Sequence, residues 1–245
     1  MNGVMVFHSL NNMEKLNIAT QKALAEYLRE FVTEERNERI LSILQNRTRH
    51  FTVVLEDLYQ TQNISAVMRT CECYGVQDLH IIENENEFTT HSAITMGADK
   101  WLSLHNYKRE PGNVKRCADE LHEAGYTLVA TLPAENSVFL EDLPIDRKTA
   151  FFFGTELTGL SDEAKAVCDA AVKIPMYGFT ESFNISNSVA ILISNIIERL
   201  HHSNVEWHLS DNEQTSLYFE WLAKSARSAD DLIDHYLRTH GIVTP

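Results

Sequence analysis

Three separated stretches of this chain carry side chains able to hold a ligand and act on it. They are Asn-Ile-Ser-Ala-Val-Met-Arg-Thr at 63–70, Phe-Gly-Thr-Glu-Leu-Thr-Gly-Leu at 153–160, and Ile-Pro-Met at 174–176 running on to Ser-Phe-Asn-Ile-Ser at 182–186. Arg69 offers a planar donor fork suited to a phosphate. Arginine is effectively always protonated, so it suits binding a phosphate and not acting as a base. Asn63, six residues earlier on the first turns of the same helix, can cap that helix and also bond Glu156 or a ribose. Glu156 lies between two glycines on a loop, where an acid has little packing reason to be, and is placed to orient Arg69 or Asn63. Gly154 and Gly159 let that loop approach a ligand closely. Pro175 lacks an N–H and cannot continue a strand. The loop that follows exposes backbone donors and acceptors, which can read an adenine edge without charged side chains. Plainer readings stand beside these: a structural ion pair for Arg69, helix capping for Asn63 and Asn184, and core packing for the apolar members.

Each stretch begins where a strand ends and a helix starts. The apolar runs 51–57, 79–82, 126–131, 150–153 and 171–174 read as strands. Helices are expected over 64–74, ended by Gly75, over a segment with Pro111 in its first turn that ends near Ala124-Gly125, over a short piece capped by Ser161, and over 185–200. The 185–200 helix is apolar on nearly every side and is either deeply buried or part of a subunit interface. Residues 83–100 form a polar loop long enough to suggest function. This alternation gives an α/β domain with a mostly parallel sheet and helices on both faces, and ligands bind at the carboxyl edge of such a sheet. Residues 12–45 read as helix, with Leu24, Leu28 and Phe31 in register and Thr33 capping a second segment; 211–225 and 228–239 add two more. The chain therefore divides into an N-terminal helical extension (1–50), a central domain (51–203), and C-terminal helices (204–245) that pack on the domain or on a dimer.

Composition sets the outer limits. With 245 residues, 44% hydrophobic and 23% charged, the chain suits a globular protein with one substantial core. No run approaches the roughly 20 apolar residues of a membrane span, and Met1–Leu10 show no signal-peptide pattern, so a cytoplasmic location is expected. Cys71, Cys73, Cys117 and Cys168 form no CxxC pair or disulfide framework and read as buried thiols. No metal-ligand cluster appears. The net charge of −14 argues against a general nucleic-acid binder. Residues 1–50 are the exception, holding 7 Lys/Arg against 6 Asp/Glu. Arg36, Arg39, Arg47 and Arg49 are thus the candidate phosphate contacts if RNA binds, against a solvated face as the alternative. Residues 58–66 contain no glycine, which excludes a dinucleotide-binding GxGxxG loop.

The three stretches, in this order and spacing, resemble the motifs of the SPOUT class of methyltransferases, and most closely its TrmH (SpoU) branch. The resemblance covers roughly residues 34–240. It implies a C-terminal trefoil knot over roughly 150–200. It also implies a homodimer in which the motif-1 arginine lies near the partner's site. S-adenosylmethionine would be held by Gly154, Ile174, Met176 and Ser182, with Thr131 and Leu132 at the adenine. Arg69, Asn63, Glu156, Ser182 and Asn184 would form the catalytic set. The activity implied is methylation of a ribose 2′-hydroxyl in RNA, with a guanosine in the tRNA D-loop as the favoured substrate. The rivals are a ribosomal RNA 2′-O-methyltransferase and a protein that binds RNA or cofactor without catalysis. One departure is Asn187-Ser188 directly after the third motif, where the family has small or apolar residues. The stretch before residue 33 is another.

Overall fold

The computed structural model describes residues 16–86 and 95–242. Along the chain run α1 (Ile18–Arg29), α2 (Glu34–Leu44), β1 (Phe51–Glu56), α3 (Thr61–Cys73), β2 (Asp78–Ile82), β3 (Ser103–Tyr107), α4 (Asn113–Glu123), β4 (Thr127–Thr131), β5 (Val138–Phe139), β6 (Thr149–Phe153), α5 (Asp162–Val167), β7 (Ala170–Lys173), α6 (Ile185–His201), α7 (Asp211–Ser225) and α8 (Ala229–Thr239). Two compact units result: residues 48–207 carry the sheet, and the helices of both chain ends make up the other unit. With 48–50 and 204–207 in the sheet unit, most of the extension expected at 1–50 and of the helices expected at 204–245, read separately from the sequence, thus shares one unit. Within it Thr33 caps α2 by accepting from the Arg36 N–H at 3.2 Å, as its position suggested, and Tyr218 donates to Asn37 at 2.6 Å. Residues 12–15 of the expected first helix and residues 87–94 of the expected polar loop lie outside the described residues.

The seven strands form one sheet in the order β3-β2-β1-β6-β4-β7-β5, and every pairing is parallel. Successive side chains of a strand point to opposite faces, and both faces are covered. Val53, Leu55, Phe151 and Phe153 pack with Val67, Met68, Leu192 and Ile196 from α3 and α6. Val54 and Phe152 pack with Val114, Cys117, Leu121 and Ala164 from α4 and α5. Such two-sided burial explains why β1 and β6 read as continuous apolar runs. From β1 the chain turns towards β2, and from β6 it continues beyond β4 to β7. The crevice between β1 and β6 is therefore the topological switch point, where open α/β sheets hold ligands.

Several local expectations change. Helix α3 begins at Thr61, so Asn63 lies inside its first turn and Gln60 takes the cap position without a side-chain cap bond. Pro111 precedes the cap residue Gly112 of α4 instead of entering its first turn. Strands β3 and β5 have no counterpart in the sequence reading. Cys73 is exposed, while Cys71 and Cys117 are buried. Among the described residues, no helix is long and apolar enough to cross a membrane.

Candidate active site

The three motifs meet at Glu156. Its carboxylate Oε1 accepts from Asn63 Nδ2 at 3.0 Å, from Asn184 Nδ2 at 2.5 Å, and from the backbone N–H of Ile185 at 3.4 Å. Asn184 Nδ2 also donates to Asn63 Oδ1 at 3.2 Å. Asn63 comes from the start of α3, Glu156 from the loop after β6, and Asn184 from the cap of α6, so one carboxylate ties together three segments far apart in the chain. Asn184 performs two tasks with opposite ends of its amide. Its oxygen accepts from the Ser186 N–H at 3.0 Å and Oγ at 2.6 Å, capping α6, while its nitrogen faces Glu156.

The loop that presents Glu156 is built on two glycines. Thr155 and Gly159 exchange backbone bonds at 3.1 and 2.9 Å, and the Thr155 hydroxyl accepts from the Thr158 N–H at 3.1 Å. Gly159 adopts φ 69°, where glycine alone is unstrained. A Cβ on Gly154 would lie 2.1 Å from the Gly159 carbonyl carbon. The absent side chain at 154 thus lets the loop cross its own base, a different reason from the close ligand approach expected of it.

Beside this loop lies a cleft of about 440 Å³, within the roughly 300–1,000 Å³ usual for small-molecule sites. Thr131, Leu132, Gly154, Ile174, Met176 and Ser182 all line it. Thr131 Oγ1 is buried there without a hydrogen-bond partner among the described residues. Below the loop, Glu56 ends β1 as a buried carboxylate that accepts from the Ser161 N–H at 2.8 Å, its Oγ at 2.6 Å, and Asn84 Nδ2 at 3.2 Å. The sequence reading missed Glu56 and its neighbour Asp57. Their signal was an acidic pair closing an otherwise apolar strand.

Other expected site residues fall elsewhere. Arg69 is exposed on α3 and makes no hydrogen bond or ion pair with any described residue. Six residues from Asn63 is about 120° around the helix and about 9 Å along it, so it does not touch Glu156. Ser182 lines the cleft but bonds neither Asn63 nor Glu156. Arg36 and Arg39 are exposed. Arg47 is only 1% exposed, with its guanidinium over the Trp221 ring at 5.1 Å. Arg49 is bound to the buried Asp78 at 2.8 Å. Burial takes Arg47 away from the surface and from a phosphate, whereas Arg49 stays 24% exposed with its guanidinium engaged by Asp78. Asn187 is exposed to water and carries no desolvation cost within the chain. Cys168, half-buried, is pushed up to about 12 by burial, then by Asp169 and Glu56, and stays a neutral thiol. No cluster of three or more metal-ligating side chains occurs among the described residues.

A parallel sheet with a lined cleft and a three-segment polar lock at its switch point places the chain among the α/β proteins that hold a ligand at the sheet's carboxyl edge. Residues 50–194, more than half of the chain, match the SpoU rRNA Methylase family. A tRNA (guanosine(18)-2′-O)-methyltransferase of Borreliella burgdorferi is 42% identical over 210 residues, 84% of this chain and 94% of that protein. Among solved structures, the A. aeolicus TrmH/SpoU tRNA modifying enzyme superposes with a TM-score of 0.69 at 26% identity, covering 78% of this chain and 96% of that one. The SpoU methyltransferase AviRb of Streptomyces viridochromogenes, in complex with AdoMet, shares the fold with a TM-score of 0.56 at 21% identity, over 66% of this chain and 65% of its own. The chain belongs to the SpoU methylase family and is a methyltransferase.

Proposed function

We propose that this protein transfers the methyl group of S-adenosylmethionine to the ribose 2′-hydroxyl of a guanosine in tRNA, at position 18 in the D-loop. The observation that carries the reading is the convergence of the three motifs on Glu156 beside the lined cleft, and the 42% identity to an enzyme of that name supports the choice of RNA. The cleft fits the cofactor. Thr131 Oγ1 offers a buried, unanswered polar atom next to Leu132 at the adenine end, and Ile174, Met176, Gly154 and Ser182 would hold the rest. When bound, S-adenosylmethionine supplies an electrophilic methyl group on a sulfonium.

The chain's own residues position the acceptor. Glu156, held by Asn63 and Asn184, fixes the relative placement of the α3 start and the α6 cap, so that the 2′-oxygen is held in line with the donor. Such orientation accounts for much of a transfer rate. Arg69 binds the phosphate beside the target ribose and stabilises the alkoxide that forms, while a phosphate oxygen takes the proton. The guanidinium is exposed and makes no bond to its own Glu156, which supports its serving the other subunit's site in a two-fold dimer. The apolar α6, with Ile191 exposed, supports a place for that helix in the interface. The strand order supports a knot as well: β7 lies between β4 and β5, the two strands joined by residues 132–137. Arg36 and Arg39 remain the tRNA-facing candidates of the N-terminal helices.

The test is incubation with methyl-labelled S-adenosylmethionine and unmodified tRNA, with Arg69→Ala in parallel. Label is expected in a 2′-O-methylguanosine and is lost in the variant. Absence of label from tRNA, with cofactor binding retained, would overturn the tRNA assignment and favour ribosomal RNA or a non-catalytic protein.

A further inference from the structure

A second cleft of about 460 Å³ opens at the same sheet edge, and residues 155–158 with Ile185 line both clefts. Its remaining wall comes from residues 57–60, Asn63, Glu85 and Asn86. Building on the function above, we propose that this cleft takes the nucleobase of the target guanosine, with Tyr59 as its stacking face and Glu85 as the reader of its Watson–Crick edge.

Three observations carry the inference. The first is position. Asn63 and Glu156 belong to this cleft as well as to the lock, so a nucleotide whose base enters here presents its ribose to the polar groups beside the donor cleft. The second is the unpaired aromatic. Tyr59 is 80% exposed and has neither a ring contact nor a hydrogen bond among the described residues, and Leu157 on the shared loop is 94% exposed. Two large apolar side chains left in water at one cleft suit a flat partner, and single-stranded RNA bases are recognised by stacking on such rings.

The third observation is a rigid acidic rim. Asp57, at φ 56°, accepts from the backbone N–H groups of Asn84, Glu85 and Asn86 at 3.2, 2.7 and 2.8 Å. Asn86 Nδ2 donates back to the Asp57 carbonyl at 3.1 Å. The β2 end is thereby fixed against the β1 end, and Glu85 stands on it with one carboxylate oxygen 3.6 Å from Arg109. A carboxylate accepts from the N1–H and N2 amino group of guanine. Adenine offers an acceptor at N1 and nothing at C2, so it is rejected. This gives an acidic chain a use for negative charge in RNA recognition: it reads the base, while phosphates are left to the arginines.

The experiment uses the full chain and tRNA transcripts carrying guanosine or inosine at the target position. Methyl-transfer kinetics and S-adenosylmethionine affinity are measured for the wild type, Tyr59→Ala, Tyr59→Phe and Glu85→Gln. Tyr59→Ala is expected to raise KM for tRNA about tenfold, with cofactor affinity unchanged and Tyr59→Phe restoring it. The wild type is expected to prefer guanosine over inosine, which lacks the N2 amino group, by about tenfold, and Glu85→Gln to bring that ratio near one. An unchanged KM in Tyr59→Ala, or an undiminished preference in Glu85→Gln, would overturn the inference and leave the methyltransferase assignment standing. A wild type that methylates no tRNA overturns the underlying function, and the inference with it.

Discussion

Asn184 is the residue at which helix capping and chemistry can be separated. Its oxygen caps α6 and its nitrogen holds Glu156, so replacing it by alanine removes both. Aspartate caps as well as asparagine does, yet a carboxylate in its place would face Glu156 where an amide now lies at 2.5 Å. Asn184→Asp is therefore expected to keep the helix cap but to lower kcat about tenfold, by putting two like charges in the lock, with a loss of stability that shrinks as pH falls and one carboxylate takes up a proton. Asn184→Ala is expected to lose about 1 kcal/mol from the missing cap as well. Thermal melts read beside single-turnover methylation check this, and equal activity in Asn184→Asp would mean that the bond to Glu156 does not matter to catalysis. Side-chain identity made Asn63, Glu156 and Asn184 legible as polar groups without a packing role. Their meeting at one oxygen was not legible, because it depends on three loops brought together by strand order.

At the scale of elements, the informative case is the β2–β3 edge. Strand β3 escaped the sequence reading because it is an edge strand: Leu104, His105 and Asn106 are partly or fully exposed, and only Tyr107 is buried. No apolar run marks it. Its polar side chains instead build a network with β2. Asp78 accepts from Arg49 at 2.8 Å and lies 2.9 Å from His105 Nε2. His80 stacks on His105 with ring centroids 4.4 Å apart, and its Nδ1 lies 3.2 Å from the Tyr107 hydroxyl. That hydroxyl donates its one proton to Glu120 at 2.8 Å, so His80 is the donor to it. Burial, and then the nearby His105, pull His80 down to about 3 against a partial offset from Asp78.

The unfolded chain therefore takes up a proton near pH 6.5 that the folded chain refuses. The stability owed to neutral His80 is complete above about pH 6.5 and is lost as pH falls towards about 3, at up to about 1.4 kcal/mol per pH unit. His50, also lowered by burial, acts in the same direction. Asp78 joins only at lower pH. Burial raises it, but the His105 bond and the Arg49 charge outweigh that and hold it below the usual carboxylate range. Urea denaturation at about pH 7.5, 6.0 and 5.0 should show the wild type weakening with acid. His80→Phe, which keeps a ring against His105, should show a shallower slope by one proton. Identical slopes in the two proteins would remove His80 from the account.

For the whole molecule, the question is whether one chain makes a complete site. Strand periodicity and helix caps made the α/β class legible, and the apolar character of 185–200 pointed to either burial or an interface. Both halves of that alternative have support: Val189, Leu192, Ile193 and Ile196 are buried in the core, while Ile191 on the same helix is exposed. Arg69 sharpens the question, since it sits on the motif helix yet is exposed and bonds neither Asn63 nor Glu156. If it completes the partner's site, two inactive chains should repair each other. Arg69→Ala and Glu156→Ala are each expected to be nearly inactive alone. Mixed and allowed to exchange subunits, they should recover about a quarter of wild-type activity, because half of the dimers are mixed and each of those holds one undamaged site. Recovery at that level assigns the arginine across the interface. If the dimers exchange, as tagged chains can show, and no activity returns, then Arg69 and Glu156 must act within one chain. In that case α3 would have to turn or shift on binding RNA to bring the guanidinium round to its own lock.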